Sequence, residues 1–147
     1  MELRRLDDSH GTLLASLQEQ EDVWEFIGTL PISPHGGSNH VFAIMEGQVG
    51  LGFAGLLRSQ AAGGDDFELL CAMRSEAQSR GVAKQACQLV LNWAFSTAKL
   101  ERVIASIDDG NEAARAIAGK LGMTELGHAS KRVIYVKYRD ERSLTRA

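Results

Sequence analysis

A chain of 147 residues, with 44% hydrophobic and 24% charged side chains, has the make-up of one ordinary globular domain and is too short for two independently stable ones. The formal charge is −3, and the densest basic cluster, Lys131, Arg132, Lys137 and Arg139, alternates within a strand-like run, which argues against a nucleic-acid partner. No apolar stretch reaches the roughly 20 residues that span a bilayer, the opening Glu2, Arg4, Arg5, Asp7 and Asp8 are no signal-peptide core, and Cys71, Cys87 and four scattered histidines show neither disulfide nor zinc spacing, so a reduced cytoplasmic setting, no membrane and no metal are expected.

In chain order, residues 2–6 form a candidate first strand. Leu13, Leu14, Leu17, Val23, Trp24 and Ile27 then recur at helical spacings. Residues 28–39 hold both prolines, three glycines and two serines, which marks a loop. Strands are expected over 41–45 and 49–57, joined by a turn at Glu46-Gly47 as a hairpin. After the turn cluster 61–66, residues 67–73 are apolar on both parities, so this strand is expected to be buried on both faces and central.

A loop over 74–80 leads into residues 82–98, where Ala83, Ala86, Val90, Trp93, Ala94 and Thr97 fall at intervals of three and four among helix formers. A strand over 102–107, a helix over 111–121 stopped by Gly122 and a last strand over 133–138 complete the chain. The order β-α-β-β-β-α-β-α-β has no internal repeat and predicts one α/β domain.

Two glycine patterns compete for a cofactor. Gly50-Leu51-Gly52-Phe53-Ala54-Gly55 has the G-x-G-x-x-G form of a dinucleotide site. That chemistry needs a strand ending at the first glycine and a helix opening at the last. Here a turn precedes the motif and another follows it closely, so the alternative is a glycine-rich strand that lets a neighbour approach. The second pattern, Gln78-Ser79-Arg80-Gly81-Val82-Ala83, lies between the buried strand and the long helix. A helix N-terminus offers unpaired N–H groups and partial positive charge to a pyrophosphate, and Gly81 and Ala83 leave the backbone open to it. Arg80 and Lys84 could add charge; the plainer reading is an ordinary strand-to-helix turn.

The segment from Glu68 to Ala83, with Gln-x-x-Gly-x-Ala at its end, resembles the acetyl-CoA signature of the GNAT superfamily of acyl-CoA-dependent N-acyltransferases. Asn111 to Met123 resembles the same family's downstream segment, with Met123 where an aromatic residue is usual. The resemblance spans about residues 40–139 and is nearest the ribosomal-protein and small-amine branches. It implies a mixed, mostly antiparallel sheet flanked by helices on both faces, with a splayed central strand. It further implies that backbone groups of Cys71, Ala72 and Met73 bond the pantetheine and acetyl carbonyl. The amides of Ser79, Arg80, Gly81, Val82, Ala83 and Lys84, following Gln78, would take the pyrophosphate, and Asn111 would bond the pantetheine arm. From the residues alone, Asn111 also reads as a helix N-cap after the Asp108-Asp109-Gly110 turn, a role compatible with the other.

The implied reaction is attack of a neutral amine on the thioester, with acetyl-CoA as donor and a small-molecule amine or peptide N-terminus as partner. Glu68 is the candidate base; its alternative is a solvated residue beside Asp65 and Asp66. The tyrosine that the family often uses as acid is replaced by Ala118, and Tyr135 and Tyr138 are expected to pack on the sheet. Deprotonating a lysine at pH 7 costs about 4.6 kcal/mol against about 1.1 kcal/mol for an α-amine, which favours an α-amine or small amine where the base is weak. Two other readings stand beside the enzyme: a non-catalytic acyl-CoA-binding regulatory module and a dinucleotide-binding protein. A homodimer through the last strands is also implied by the resemblance.

Overall fold

The computed structural model describes residues 1–5, 40–74 and 81–139. Seven strands, β1 (Glu2–Arg5), β2 (His40–Glu46), β3 (Val49–Ser59), β4 (Asp66–Met73), β5 (Arg102–Asp108), β6 (Thr124–Ala129) and β7 (Arg132–Tyr138), form one sheet. Helix α1 (Val82–Ser96) joins β4 to β5, and α2 (Glu112–Lys120) joins β5 to β6. The strand order is β1-β2-β3-β4-β5-β7-β6, and every neighbouring pair is antiparallel except β4–β5.

The period-two alternation of the strands divides their side chains between two faces. Phe42, Ile44, Leu56, Leu69, Cys71, Met73, Val103, Ala105, Ile107, Val133 and Tyr135 share one face and form a single core with both described helices. Val90, Leu91 and Ala94 of α1, and Ala114 and Ala118 of α2, carry no exposed surface. The opposite face bears Ala43, Phe53, Leu70 and Ile104, which are equally inaccessible. Burial on both faces explains why residues 67–73 show no polar parity: β4 is the middle strand of seven. The helix expected over Leu13 to Ile27 and the loop over 28–39 lie outside the described residues.

The expected order lacks β6. Thr124–Ala129 forms the sheet edge, largely exposed, and its ladder with β7 is irregular around Leu126. A strand that buries so little has no need of alternating apolar residues. Its hairpin turn, Ser130-Lys131, takes positive φ at both positions (46° and 66°) without the Asn-Gly or Asp-Gly signal of such turns. Helix α2 stops as expected: Gly122 takes φ 83°, Gly122 N–H bonds the Gly119 carbonyl at 3.1 Å, and Met123 N–H bonds the Ala118 carbonyl at 3.0 Å, the pairing of a Schellman cap.

The dinucleotide reading is corrected by β3. Gly50 to Gly55 lie wholly within that strand, which runs on to Ser59, so no helix opens at Gly55. A β-carbon on Gly52 would collide with the Ala72 carbonyl oxygen, and one on Gly55 with the His40 carbonyl oxygen. These glycines admit the neighbouring strands β4 and β2.

Candidate functional site

The sheet opens at its centre. β4 pairs with β3 from Asp66 through Met73, and β5 pairs with β7 from Arg102 through Asp108. Between β4 and β5 the register holds only at Glu68↔Ile104. Beyond that pair each strand keeps its outer partner while the two inner edges separate.

Hydrogen-bond parity fixes which main-chain groups face the gap. Arg74 N–H bonds the Leu51 carbonyl at 2.8 Å, which makes the even-numbered residues of β4 the ones that exchange bonds with β3. Leu69, Cys71 and Met73 therefore direct their main-chain groups toward β5. Ala72 directs its own toward Phe53. On the far side, Asp109 N–H bonds the Lys131 carbonyl and Arg139 N–H bonds the Glu101 carbonyl, both at 2.9 Å. The odd residues of β5 thus bond β7, and Ile104, Ser106 and Asp108 face the gap.

Helix α1 follows β4. Its N-cap is Gly81, left-handed at φ 76° and ψ 0°, with no side-chain capping bond among the described residues and no acidic residue in the first turn. The first bond of the helix runs from Gln85 N–H to the Gly81 carbonyl at 3.2 Å. The N–H groups of Val82, Ala83 and Lys84 precede that bond and are the ones a helix leaves for an anion. Among the described residues, a β-carbon on Gly81 meets nothing within 4 Å. Gln78, Ser79 and Arg80 lie outside the described residues.

Asn111 caps α2, its Oδ1 accepting from Ala114 N–H at 3.1 Å, so the N-cap reading of this residue holds. Ala118 is fully buried in the core beneath α2, where it can present nothing to the gap. Tyr135 packs on the sheet as expected, and Arg115 Nε donates to its hydroxyl at 3.0 Å.

Glu68 is not solvated. It is 6% exposed, on the face shared with Leu70 and Ile104, and Ser59 Oγ donates to its Oε1 at 3.1 Å. Burial raises its pKa above the ordinary carboxylate value, against the opposing effects of the Ser59 bond and the positive charge of Arg132. Asp65 is exposed, whereas Asp66 is held by Arg102 in a two-point pair at 2.8 and 2.9 Å. Asp66 and Arg102 also border a surface cavity of about 380 Å³ at the N-terminal end of β4, away from the gap.

Two further polar residues reach the gap. Ser106, 5% exposed, is the only hydroxyl on β5. Arg132 Nε donates to Ser106 Oγ and Arg132 Nη2 to the Ser106 carbonyl, both at 2.6 Å. Sequence reasoning passed over this pair; a lone serine within Val-Ile-Ala-Ser-Ile was the available signal. Among the described residues no group of three or more His, Cys, Asp or Glu side chains could hold a metal, and no helix is long and apolar enough to cross a membrane.

Several solved structures share this architecture. A ribosomal-protein-alanine acetyltransferase from Vibrio fischeri is 15% identical with a TM-score of 0.77, covering 95% of this chain and 93% of its own. A spermidine N-acetyltransferase from Vibrio cholerae, in complex with CoA and spermine, is 15% identical with a TM-score of 0.75 over 94% and 95%. An acetyltransferase from Agrobacterium tumefaciens is 18% identical with a TM-score of 0.74 over 92% and 89%. At such identities the likeness is one of fold. No curated protein sequence matches significantly. The model of the GNAT acetyltransferase domain matches residues 1–124, so this chain belongs to the GNAT family and is an acetyltransferase.

Proposed function

We propose that this acetyltransferase moves an acetyl group from acetyl-CoA to a primary amine, with an α-amine or a small-molecule amine preferred over protein lysine. The observation that carries the reading is the opening between β4 and β5 beside the Gly81 N-terminus of α1. The diphosphate would lie on the amides of Val82, Ala83 and Lys84, joined by those of Ser79, Arg80 and Gly81, with Gln78 preceding them in the sequence. The pantetheine arm would run along the main-chain groups of Cys71 and Met73, with Asn111 at its side. When bound, acetyl-CoA supplies an activated acyl carbon, and the β4 amides polarise its carbonyl by hydrogen bonding.

Glu68 is the base in this reading. Its burial and raised pKa bring it closer to the range in which a carboxylate can accept a proton from an amine near neutrality. It precedes Cys71 by three residues, about 10 Å of strand, so it reaches the reacting nitrogen through water. A modest base suits an acceptor that is easily deprotonated: about 1.1 kcal/mol for an α-amine at pH 7 against about 4.6 kcal/mol for lysine. The solved neighbour holding CoA and spermine supports an amine acceptor. Acetylation of peptide N-termini, polyamines, amino acids and lysine peptides, measured side by side, tests the preference; faster turnover of the lysine peptides refutes it.

The buried Ala118 favours a second reading, an acyl-CoA-binding regulatory module, in which acetyl-CoA binds and no amine in that panel is acetylated. A cytoplasmic setting and a homodimer through the last strands belong to the proposal as well. For the dimer, β6 offers an edge with Leu126 47% exposed.

A further inference from the structure

Aminolysis of a thioester leaves negative charge on sulfur, and a site that lowers that charge's energy speeds the departure. Helix α2 supplies no hydroxyl for this, because Glu112–Lys120 contains no serine, threonine or tyrosine. Ser106 stands two residues beyond Ile104, the last β5 residue paired with β4, where the strands have already parted. Its side chain lies on the face that carries Glu68. The Arg132 guanidinium bonds both its Oγ and its carbonyl oxygen. With Oγ accepting from Arg132, the hydroxyl hydrogen is aimed away from the guanidinium and finds no acceptor among the described residues.

We propose that Ser106 donates its hydroxyl hydrogen bond to the departing sulfur of CoA, with Arg132 as the positioning residue that aims the hydroxyl and sets positive charge beside it. This rests on the acetyl-transfer reading above. The C–N bond forms as the C–S bond breaks, and the electron pair passes to sulfur. The surplus proton of the amine leaves through water to Glu68. A serine hydroxyl is too weakly acidic to surrender its proton, so it holds the thiolate by a hydrogen bond while solvent supplies the proton of the free thiol. The charged side chains on this face are Asp66 and Glu68 on β4, Arg74 just after it, Arg102 and Asp108 on β5, and Arg132 on β7. Arg102 is engaged with Asp66, and Asp108 Oδ1 accepts from Gly110 N–H at 2.9 Å. Arg132 therefore faces the sulfur's charge with Glu68 as the principal opposing group.

The experiment is an ultraviolet titration of the thiol of bound CoA, which reads the thiolate directly without turnover. The bound thiol in the unaltered protein should ionise at lower pH than in free CoA. Ser106→Ala and Arg132→Met should each raise that midpoint by about one pH unit, a tenfold loss of thiolate. Ser106→Thr, which keeps the hydroxyl, should hold the midpoint, and S-methyl-CoA, which has no ionisable thiol, should bind the unaltered protein and both loss variants alike. If CoA binds and its midpoint is the same in the unaltered protein, Ser106→Ala and Arg132→Met, the inference is overturned and the acetyl-transfer reading stands. If the unaltered protein binds no CoA, it is that reading that falls.

Discussion

Gly52 of β3 lies directly against the main chain of Ala72 and Met73, so close that any side chain on it would overlap the Ala72 carbonyl oxygen. The contact sits where β4 runs beside the gap. A pattern with the spelling of a nucleotide fingerprint is thus a close-packing device that sets the distance between two strands.

Gly52→Ala should accordingly destabilise the fold by about 1–3 kcal/mol, the usual cost of forcing atoms into a filled interior. Urea unfolding measures it. NAD should show no calorimetric binding to either form, and binding that disappears in Gly52→Ala would restore the nucleotide role.

Gly81 separates strain from charge. Its φ of 76° is unfavourable for any side chain, whereas among the described residues nothing lies within 4 Å of a β-carbon there. Gly81→Ala should cost about 1–2 kcal/mol of stability, and Gly81→Glu a similar amount. Only the glutamate places an anion against the α1 amides, so calorimetry should find acetyl-CoA binding retained, though weakened, in the alanine variant and lost in the glutamate variant. Equal affinity in the two variants would count against the diphosphate's lying there.

Burial raises the pKa of Glu68, so the folded protein holds that proton more tightly than the unfolded chain does. The associated stability is fully present below the unfolded carboxylate pKa and is lost as pH rises through the folded value. Glu68→Gln, which can still accept from Ser59, should therefore leave thermal stability unchanged near pH 3 and raise it at pH 8. Acetyl transfer in the parent should increase with pH through the same raised pKa. In the glutamine variant turnover should fall and this limb should vanish; a pH–rate profile that keeps the limb would remove Glu68 from the reaction.

Cys71 and Cys87 are buried side by side, with Cys71's pKa pushed well above the usual thiol value by its bond to Cys87 and by burial. Neither should react with Ellman's reagent in the folded protein, and both should titrate in guanidinium. Rapid labelling of the native state would mean that α1 separates readily from β4.

The sequence was most legible where burial imposed a period. The two-sided apolar run over 67–73, the three-and-four spacing over 82–98 and the glycine stop at residue 122 each leave one physical solution, and each element appears with ends shifted by no more than two residues. β6 was illegible because an edge strand needs no core face, and its Ser130-Lys131 turn relies on two residues that seldom take positive φ. Residue types announced the helix starts at Gly81 and Asn111. Which of Cys71, Ala72 and Met73 faces the gap depends on hydrogen-bond parity, which a run of small apolar residues does not encode. The Ser106–Arg132 couple joins residues 26 positions apart and exists only once β5 and β7 are paired.

Because β4 and β5 each remain fully zipped to their outer neighbours, the parting between them is a permanent seam in the sheet. Admitting a slender thiol-bearing chain requires no ladder to be unfastened and no hinge to swing. Most of the ordering that such an association would otherwise demand is completed when the polypeptide folds, so a donor that threads this seam, as proposed, would meet a preformed slot.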